Sequence, residues 1–123
     1  MPNQHRILVA DDNEDSASAM TIILKLLGNE VRTAHDGLEA VKIAEEFRPE
    51  LILLDIGMPE MNGFDVCRHI RQQPWAGNVI IAALTGWGQD EDKRLSLEAG
   101  FNHHLVKPVD PYALETLLKD LHN

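Results

Sequence analysis

Short apolar segments of the chain are followed by polar residues that could do chemistry: the pair Asp11 and Asp12, then Asp55, Thr85 and Lys107. Each has an ordinary structural interpretation when taken alone, as a helix cap, a loop hydrogen bond or a solvated charge. Three clustered carboxylates would repel one another and would need a cation. Oxygen ligands favour Mg²⁺ or Mn²⁺ over zinc, while lysine and threonine suit a phosphoryl group. A carboxylate beside such a group can be its nucleophile, and Asp55 is the candidate because it ends a central strand.

The elements that must position these residues alternate along the chain. Continuous apolar runs predict strands covered on both faces, and they fall at Ile7–Ala10, Leu51–Leu54, Val79–Leu84 and Leu105–Val106, with a weaker run from Val31 to Ala34. Segments with helical periodicity lie between these apolar runs. Their apolar positions are Ala19, Met20, Ile23, Leu24 and Leu27, then Leu38, Val41, Ile43 and Ala44, then Phe64, Val66, Cys67 and Ile70, and finally the segments Leu95–Ala99 and Tyr112–Leu121.

Helix-terminal residues agree with this division. Gly28 and Gly100 follow helical patterns where a left-handed cap is expected, Asp36 with Glu39 predicts a capping box, and Asp110-Pro111 predicts a helix start. The chain therefore contains five units of a strand followed by a helix. That alternation predicts an α/β fold, a flavodoxin-like doubly wound (βα)5 three-layer sandwich with a parallel sheet of order 2-1-3-4-5. The five polar residues would then meet at one edge, the carboxyl ends of the strands.

Length and charge restrict the function. With 123 residues the chain has room for one domain, with a core from about 6 to 121 and no output domain. The net charge of −9 disfavours direct nucleic-acid binding and favours a monomer. One cysteine, no signal-peptide pattern and a longest apolar run of six residues predict a cytoplasmic protein without a membrane segment.

Four segments contain the five polar residues and their neighbours: Leu-Val-Ala-Asp-Asp-Asn (8 to 13), Leu-Ile-Leu-Leu-Asp-Ile-Gly-Met-Pro-Glu-Met-Asn-Gly (51 to 63), Ala-Leu-Thr-Gly (83 to 86) and Leu-Val-Lys-Pro (105 to 108). Together they resemble the receiver domains of two-component response regulators. The resemblance runs from about Ile7 to Leu121. It implies a signalling domain rather than a conventional enzyme, one that catalyses its own phosphorylation and dephosphorylation.

The resemblance also assigns roles within the site. Asp12 and Asp55 would bind Mg²⁺ directly, Asp11 would hold it through water, and the Gly57 carbonyl would be a further ligand. Asp55 would accept the phosphoryl group from the phosphohistidine of a histidine kinase or a histidine phosphotransfer protein.

Other roles implied by the resemblance concern the phosphorylated state. Lys107 would pair with phosphoryl oxygens, Thr85 would hydrogen-bond one of them, and the Lys107-Pro108 bond would be cis. Movement of Thr85 would change a surface formed by the fourth helix, fifth strand and fifth helix, and this surface would bind a downstream target protein. His104 replaces the tyrosine or phenylalanine usual at the switch position, so we expect the activation to depend on pH.

Two further expectations concern phosphoryl lifetime and partner docking. Gly57 has no side chain to orient a water, and Trp87 is bulky, so slow to moderate self-dephosphorylation is predicted, with Trp87 occluding the site. By resemblance, the start of the first helix would meet the phosphodonor through Asn13, Ser16, Ala19 and Met20.

Alternatives remain within and beyond this class. A Mg-dependent aspartyl-phosphate phosphatase would need a second acid at Gly57, and a flavodoxin-like cofactor binder would need a less acidic loop after the first strand. A histidine metal site is disfavoured because adjacent His103 and His104 would point to opposite faces. The stretches Leu84–Gln89 and Ala99–Asp110 look most like receivers from the C-terminus of hybrid sensor histidine kinases, while a free-standing response regulator would share every motif.

Overall fold

A computed structural model describes residues 4–58, 61–86 and 99–121. Five parallel strands form one sheet in the order β2-β1-β3-β4-β5, as the sequence predicts. The strands are β1 (Arg6–Ala10), β2 (Glu30–Ala34), β3 (Leu51–Asp55), β4 (Ile80–Thr85) and β5 (His103–Val106). The helices are α1 (Glu14–Leu26), α2 (Gly37–Phe47), α3 (Gly63–Arg71), a 3₁₀ helix (Pro74–Ala76) and a C-terminal helix (Pro111–Asp120). The predicted fourth helix, apart from Ala99, lies outside the described residues.

The sheet is covered on both faces, which explains its continuous apolar strands. On one face, alternate strand residues such as Leu8 and Leu54 pack with α2 and α3. On the other, residues such as Val9 and Leu53 pack with α1 and the C-terminal helix. β3 is buried along its whole length, so Asp55 lies at the end of a buried central strand.

The helix ends mostly follow the predicted punctuation. Asp36 accepts a hydrogen bond from Glu39 N, and the Glu39 carboxylate accepts one from His35 N, one residue earlier than a standard capping box. Asp110 caps the C-terminal helix, and Gly28 has a left-handed φ of 94°. Asn13, and not Asp12, caps α1: its side chain accepts a hydrogen bond from Ser16 N at 2.9 Å, which leaves Asp12 exposed beside the site.

Some apolar positions of the helical patterns lie at the surface. Leu38 is 67% exposed, and Leu27 and Ala19 are exposed as well. In α2, the small residues Ala40 and Ala44 are buried instead. Small residues allow close helix–sheet packing, and the larger leucines then fall on the outer surface.

Within the described part of the chain, no helix has the length and apolar character needed to cross a membrane.

Candidate functional site

The five predicted site residues come from four strands and meet at one edge of the sheet. Asp11 follows β1, Asp55 ends β3, Thr85 ends β4 and Lys107 follows β5. The strand pairings align these ends, because Asp55 is registered with Leu84 and Thr85 with Val106. The edge is the carboxyl end of a parallel sheet, where ligand sites of doubly wound folds occur.

Three carboxylates form the acidic part of the site. Oxygens of Asp11, Asp12 and Asp55 lie within 4.8 Å of one another. Asp11 is fully buried, Asp55 is 7% exposed and Asp12 is exposed. Backbone groups orient two of them, since Asn13 N donates to Asp11 Oδ1 at 3.0 Å and Gly57 N donates to Asp55 Oδ1 at 2.9 Å.

Gly63 allows the α3 start to approach this cluster. A Cβ added there would lie 2.5 Å from the Asp55 carbonyl oxygen and 2.6 Å from Ile56 Cα. Only glycine therefore lets the first turn of α3 pack against the end of β3. The position of Gly63 in the sequence does not by itself predict this close packing of α3 against β3.

Lys107 joins two of the carboxylates. Its Nζ lies 2.9 Å from Asp11 Oδ2 and 3.1 Å from Asp55 Oδ2. Burial alone would lower the pKa of Lys107, but the hydrogen bonds to Asp11 and Asp55 outweigh it and raise the pKa above its usual value. Lys107 is therefore cationic throughout the neutral range. The Lys107-Pro108 peptide bond is cis, as expected.

Thr85 lies at the edge of the cluster and is 2% exposed. Its Oγ1 is 2.6 Å from His104 Nε2 and 3.4 Å from the Leu105 carbonyl oxygen. The resemblance assigns these two residues to one switch, but the sequence does not predict their direct hydrogen bond, because the contact depends on the register of β4 against β5.

The donor set fits a divalent, oxygen-preferring cation. Three carboxylates and one ammonium leave a formal charge of −2 at the cluster, from −3 and +1. All three side chains offer hard carboxylate oxygens, and one of them, Asp12, is exposed. Asp11, Asp12, Asp55 and Gly57 could hold Mg²⁺ with room for water.

Comparison with known proteins decides the family. Residues 7–119 match the response regulator receiver domain family. The chain belongs to this family. This receiver domain is 36% identical over 116 residues to an uncharacterized 14.6 kDa protein of Leptolyngbya boryana, covering 94% of this chain and 88% of that one.

Longer relatives and solved structures carry the same domain. The receiver domain is 37% identical over 114 residues to the alkaline phosphatase synthesis transcriptional regulatory protein PhoP of Bacillus subtilis, covering 93% of this chain. It spans 47% of that protein, about half of its length.

Two solved structures superimpose with a TM-score of 0.89 each. One is chemotaxis protein CheY4 of Vibrio cholerae, at 31% identity, covering 96% of this chain and 98% of that one. The other is the receiver domain of sensor histidine kinase PA1611 from Pseudomonas aeruginosa, at 32% identity, covering 98% and 99%. That second structure has a magnesium ion coordinated in its active-site cleft.

The expected docking residues of the receiver domain do not share one surface. Asn13 and Ala19 are exposed and Ser16 is half-buried, but Met20 is 4% exposed and belongs to the core under α1. The prediction for Met20 as a contact residue is therefore wrong. Its position is four residues from Leu24, so both side chains point at the sheet.

The remaining titratable candidates have structural partners. His103 Nε2 lies 3.2 Å from Asp120 Oδ2, whereas His104 contacts Thr85, so the two histidines point to opposite faces as predicted. Cys67 is buried, and its Sγ contacts the Ala99 carbonyl oxygen at 3.3 Å. Trp87 lies outside the described residues.

Proposed function

We propose that this receiver domain accepts a phosphoryl group from a phosphohistidine onto Asp55, in a Mg²⁺-dependent reaction. The observation that carries the proposal is the position of Lys107 Nζ, which contacts Asp11 and Asp55 within a group of three carboxylates. A cation beside the candidate nucleophile and an acidic cluster beside both are the parts needed for phosphoryl transfer.

The reaction is a displacement at phosphorus. An Asp55 carboxylate oxygen attacks the phosphorus atom, forming a P–O bond as the P–N bond to histidine breaks. The electron pair of that bond goes to the imidazole nitrogen, which takes up a proton. The product is an acyl phosphate on Asp55 and a free histidine on the donor.

Residues of the site divide the work of this transfer. Lys107 lies against Asp55 Oδ2 and would pair with the oxygens of the arriving group. Thr85, at the end of the neighbouring strand, would donate a hydrogen bond to one of them. Asp12 and Asp55 would hold Mg²⁺ directly, with Asp11 through water and the Gly57 carbonyl as a further ligand. When bound, Mg²⁺ offsets the negative charge that accumulates on the phosphoryl oxygens.

Phosphorylation would be read out by a partner protein. We propose that Thr85 and His104 transmit the change to a surface that includes β5 and the C-terminal helix, together with the predicted fourth helix. The contact between Thr85 and His104 supports this route because it joins the site to β5. Partners would be a histidine kinase or histidine phosphotransfer protein, and a downstream target. Net charge opposes direct contact with nucleic acid.

The parent protein is a separate question. The likeness to the PA1611 receiver domain supports an origin in a hybrid sensor histidine kinase, and the similar likeness to CheY4 supports a free-standing regulator. We propose the hybrid origin, with a cytoplasmic location, on the strength of residues 84–89 and 99–110. An aspartyl-phosphate phosphatase has no support, because Gly57 supplies no second acid.

The test is intact-mass spectrometry after incubation with Mg²⁺ and acetyl phosphate. Wild type should gain the mass of one phosphoryl group, and EDTA or Asp55→Asn should abolish the gain. Failure with acetyl phosphate, with a phosphohistidine donor and with the phosphoryl mimic beryllofluoride would refute the proposal.

A further inference from the structure

The hydrogen bond between His104 and Thr85 can run in either direction, depending on whether His104 Nε2 carries a hydrogen. Thr85 has a single hydroxyl proton, and its Oγ1 lies 2.6 Å from His104 Nε2. The other described contact of Oγ1 is the Leu105 carbonyl oxygen at 3.4 Å, which can only accept. The direction of the short bond therefore determines where the Thr85 proton points.

Sheet register builds this contact into the fold. His104 is paired with Ala83, two residues before Thr85, and side chains two apart on a strand share a face. His104 and Thr85 are thus diagonal neighbours on one face of the sheet. His103 points to the other face, where it pairs with Asp120.

We propose that His104 is a positioning residue for Thr85, and that its imidazole changes from acceptor to donor when Asp55 is phosphorylated. In the resting domain, the Nε2 lone pair accepts the Thr85 proton. In the phosphorylated domain, Nε2 carries a hydrogen and donates to Oγ1, which frees the Thr85 proton for a phosphoryl oxygen. The inference rests on the proposed function, because it needs an oxygen acceptor at Asp55.

The change can occur by uptake of a second proton or by a switch of tautomer, and both put hydrogen on Nε2. Proton uptake is favoured by a nearby phosphoryl dianion. Phosphorylation should then become easier as the pH falls through the histidine range, at about 6.5 for an unperturbed imidazole.

Other charged groups near β5 must be separated from His104 in such a test. Lys107 is bonded to Asp11 and Asp55, and Asp120 is paired with His103 on the opposite face. β4 has no charged residue, while α3, on the same face as His104, carries Asp65, Arg68, His69 and Arg71. All of these remain in a His104→Phe variant, which keeps a planar ring and removes only the imidazole.

The decisive experiment is long-range ¹H–¹⁵N NMR of the histidine side chains at pH 8, with Mg²⁺ alone and with Mg²⁺ and beryllofluoride. His104 Nε2 should change from a lone-pair nitrogen to an N–H nitrogen on beryllofluoride binding. Thr85→Val should remove the change. An Nε2 of one type in both states of wild type would overturn the proposal.

A second measurement compares wild type directly with His104→Phe. The affinity for beryllofluoride, measured by calorimetry from pH 6 to 8, should rise as pH falls in wild type and change less in His104→Phe. Equal affinities of the two proteins for beryllofluoride at every pH would contradict the role of the imidazole. If wild type bound no beryllofluoride at all, the proposed function itself would fail, which is a distinguishable result.

Discussion

Lys107 forms a 2.9 Å ion pair with Asp11, a carboxylate that has no exposed surface. The same ammonium reaches Asp55 at 3.1 Å, so one cation neutralises part of a cluster that would otherwise be self-repelling. Without a bound metal, the stability of this acidic cluster therefore depends on Lys107.

Lys107→Met should destabilise the domain, because it leaves the buried Asp11 charge without its partner. Since Lys107 is about one-quarter exposed, we expect a loss of about 2 kcal/mol rather than the full value for a buried pair. Urea unfolding in EDTA measures the loss. In an Asp11→Asn background the same substitution should cost clearly less, and an equal cost in both backgrounds would show that the pair is not coupled.

Asp12→Asn should weaken Mg²⁺ binding without loss of stability. Asp12 is exposed and does not cap α1, so its removal should change the unfolding free energy by less than about 0.5 kcal/mol. Calorimetry should show Mg²⁺ affinity reduced about tenfold or more, since a charged ligand is lost. Asp15→Asn is the control, an exposed acid on the first turn of α1 with the same charge change. Similar affinity losses in both variants would indicate a general charge effect.

Gly57→Asn should shorten the lifetime of the phosphoryl group several-fold by placing a polar side chain where water can be oriented. The position has space, because an added Cβ would lie 3.5 Å from Asp55 Oδ1, an ordinary contact, and φ is not left-handed. The decay of the phosphoryl mass with time measures the lifetime. Gly57→Ala adds the Cβ without a polar group and should leave the rate near that of wild type. Faster decay in the alanine variant too would assign the effect to the backbone.

Ala19→Arg should slow transfer from a protein phosphodonor but not from acetyl phosphate. Ala19 is exposed on α1, and a long cationic side chain there would obstruct a phosphodonor protein that docks on this helix. Rates are measured with a phosphorylated histidine phosphotransfer protein that wild type accepts from. Gln72→Arg adds the same charge at the exposed end of α3 and should have no effect. Unchanged transfer to the Ala19 variant would remove this face from the docking surface.

Cys67 should be inert in the folded domain. Burial raises the pKa of its thiol from 9.0 to about 11, so at pH 8 the reactive thiolate is about a hundredfold rarer than in the unfolded chain. Burial disfavours the thiolate only in the folded state. The contribution of the buried neutral thiol to the stability of the domain is therefore present below pH 9 and is lost as the pH rises towards 11. Ellman's reagent at pH 8 should react slowly with native protein and rapidly in guanidinium. Comparable rates in the two conditions would contradict the burial of Cys67.

The strand order and the edge at which the site forms could be predicted because each strand is a continuous apolar run that ends in a polar residue. The buried residues of the helices were harder to predict. Leu38 fits a helical pattern yet is exposed, since Ala40 and Ala44 occupy the face against the sheet. Periodicity counts apolar residues but does not show how closely a helix approaches its sheet.

Contacts between side chains of different strands were beyond prediction for a similar reason. The hydrogen bond between Thr85 and His104 depends on a register that pairs His104 with Ala83, and no local signal contains that register. Asn13 and Asp12 are both good capping residues, and only the start of α1 at Glu14 decides between them.

Chemical mapping of the phosphorylated residue distinguishes Asp55 from the two other carboxylates of the cluster. Borohydride reduces an aspartyl phosphate to homoserine, which peptide mass spectrometry can locate in the chain. After treatment with Mg²⁺ and acetyl phosphate, we expect homoserine at position 55 alone, and none when EDTA is present. Homoserine at position 11 or 12 in a sample with Asp55 unmodified would contradict the proposal that Asp55 accepts the phosphoryl group.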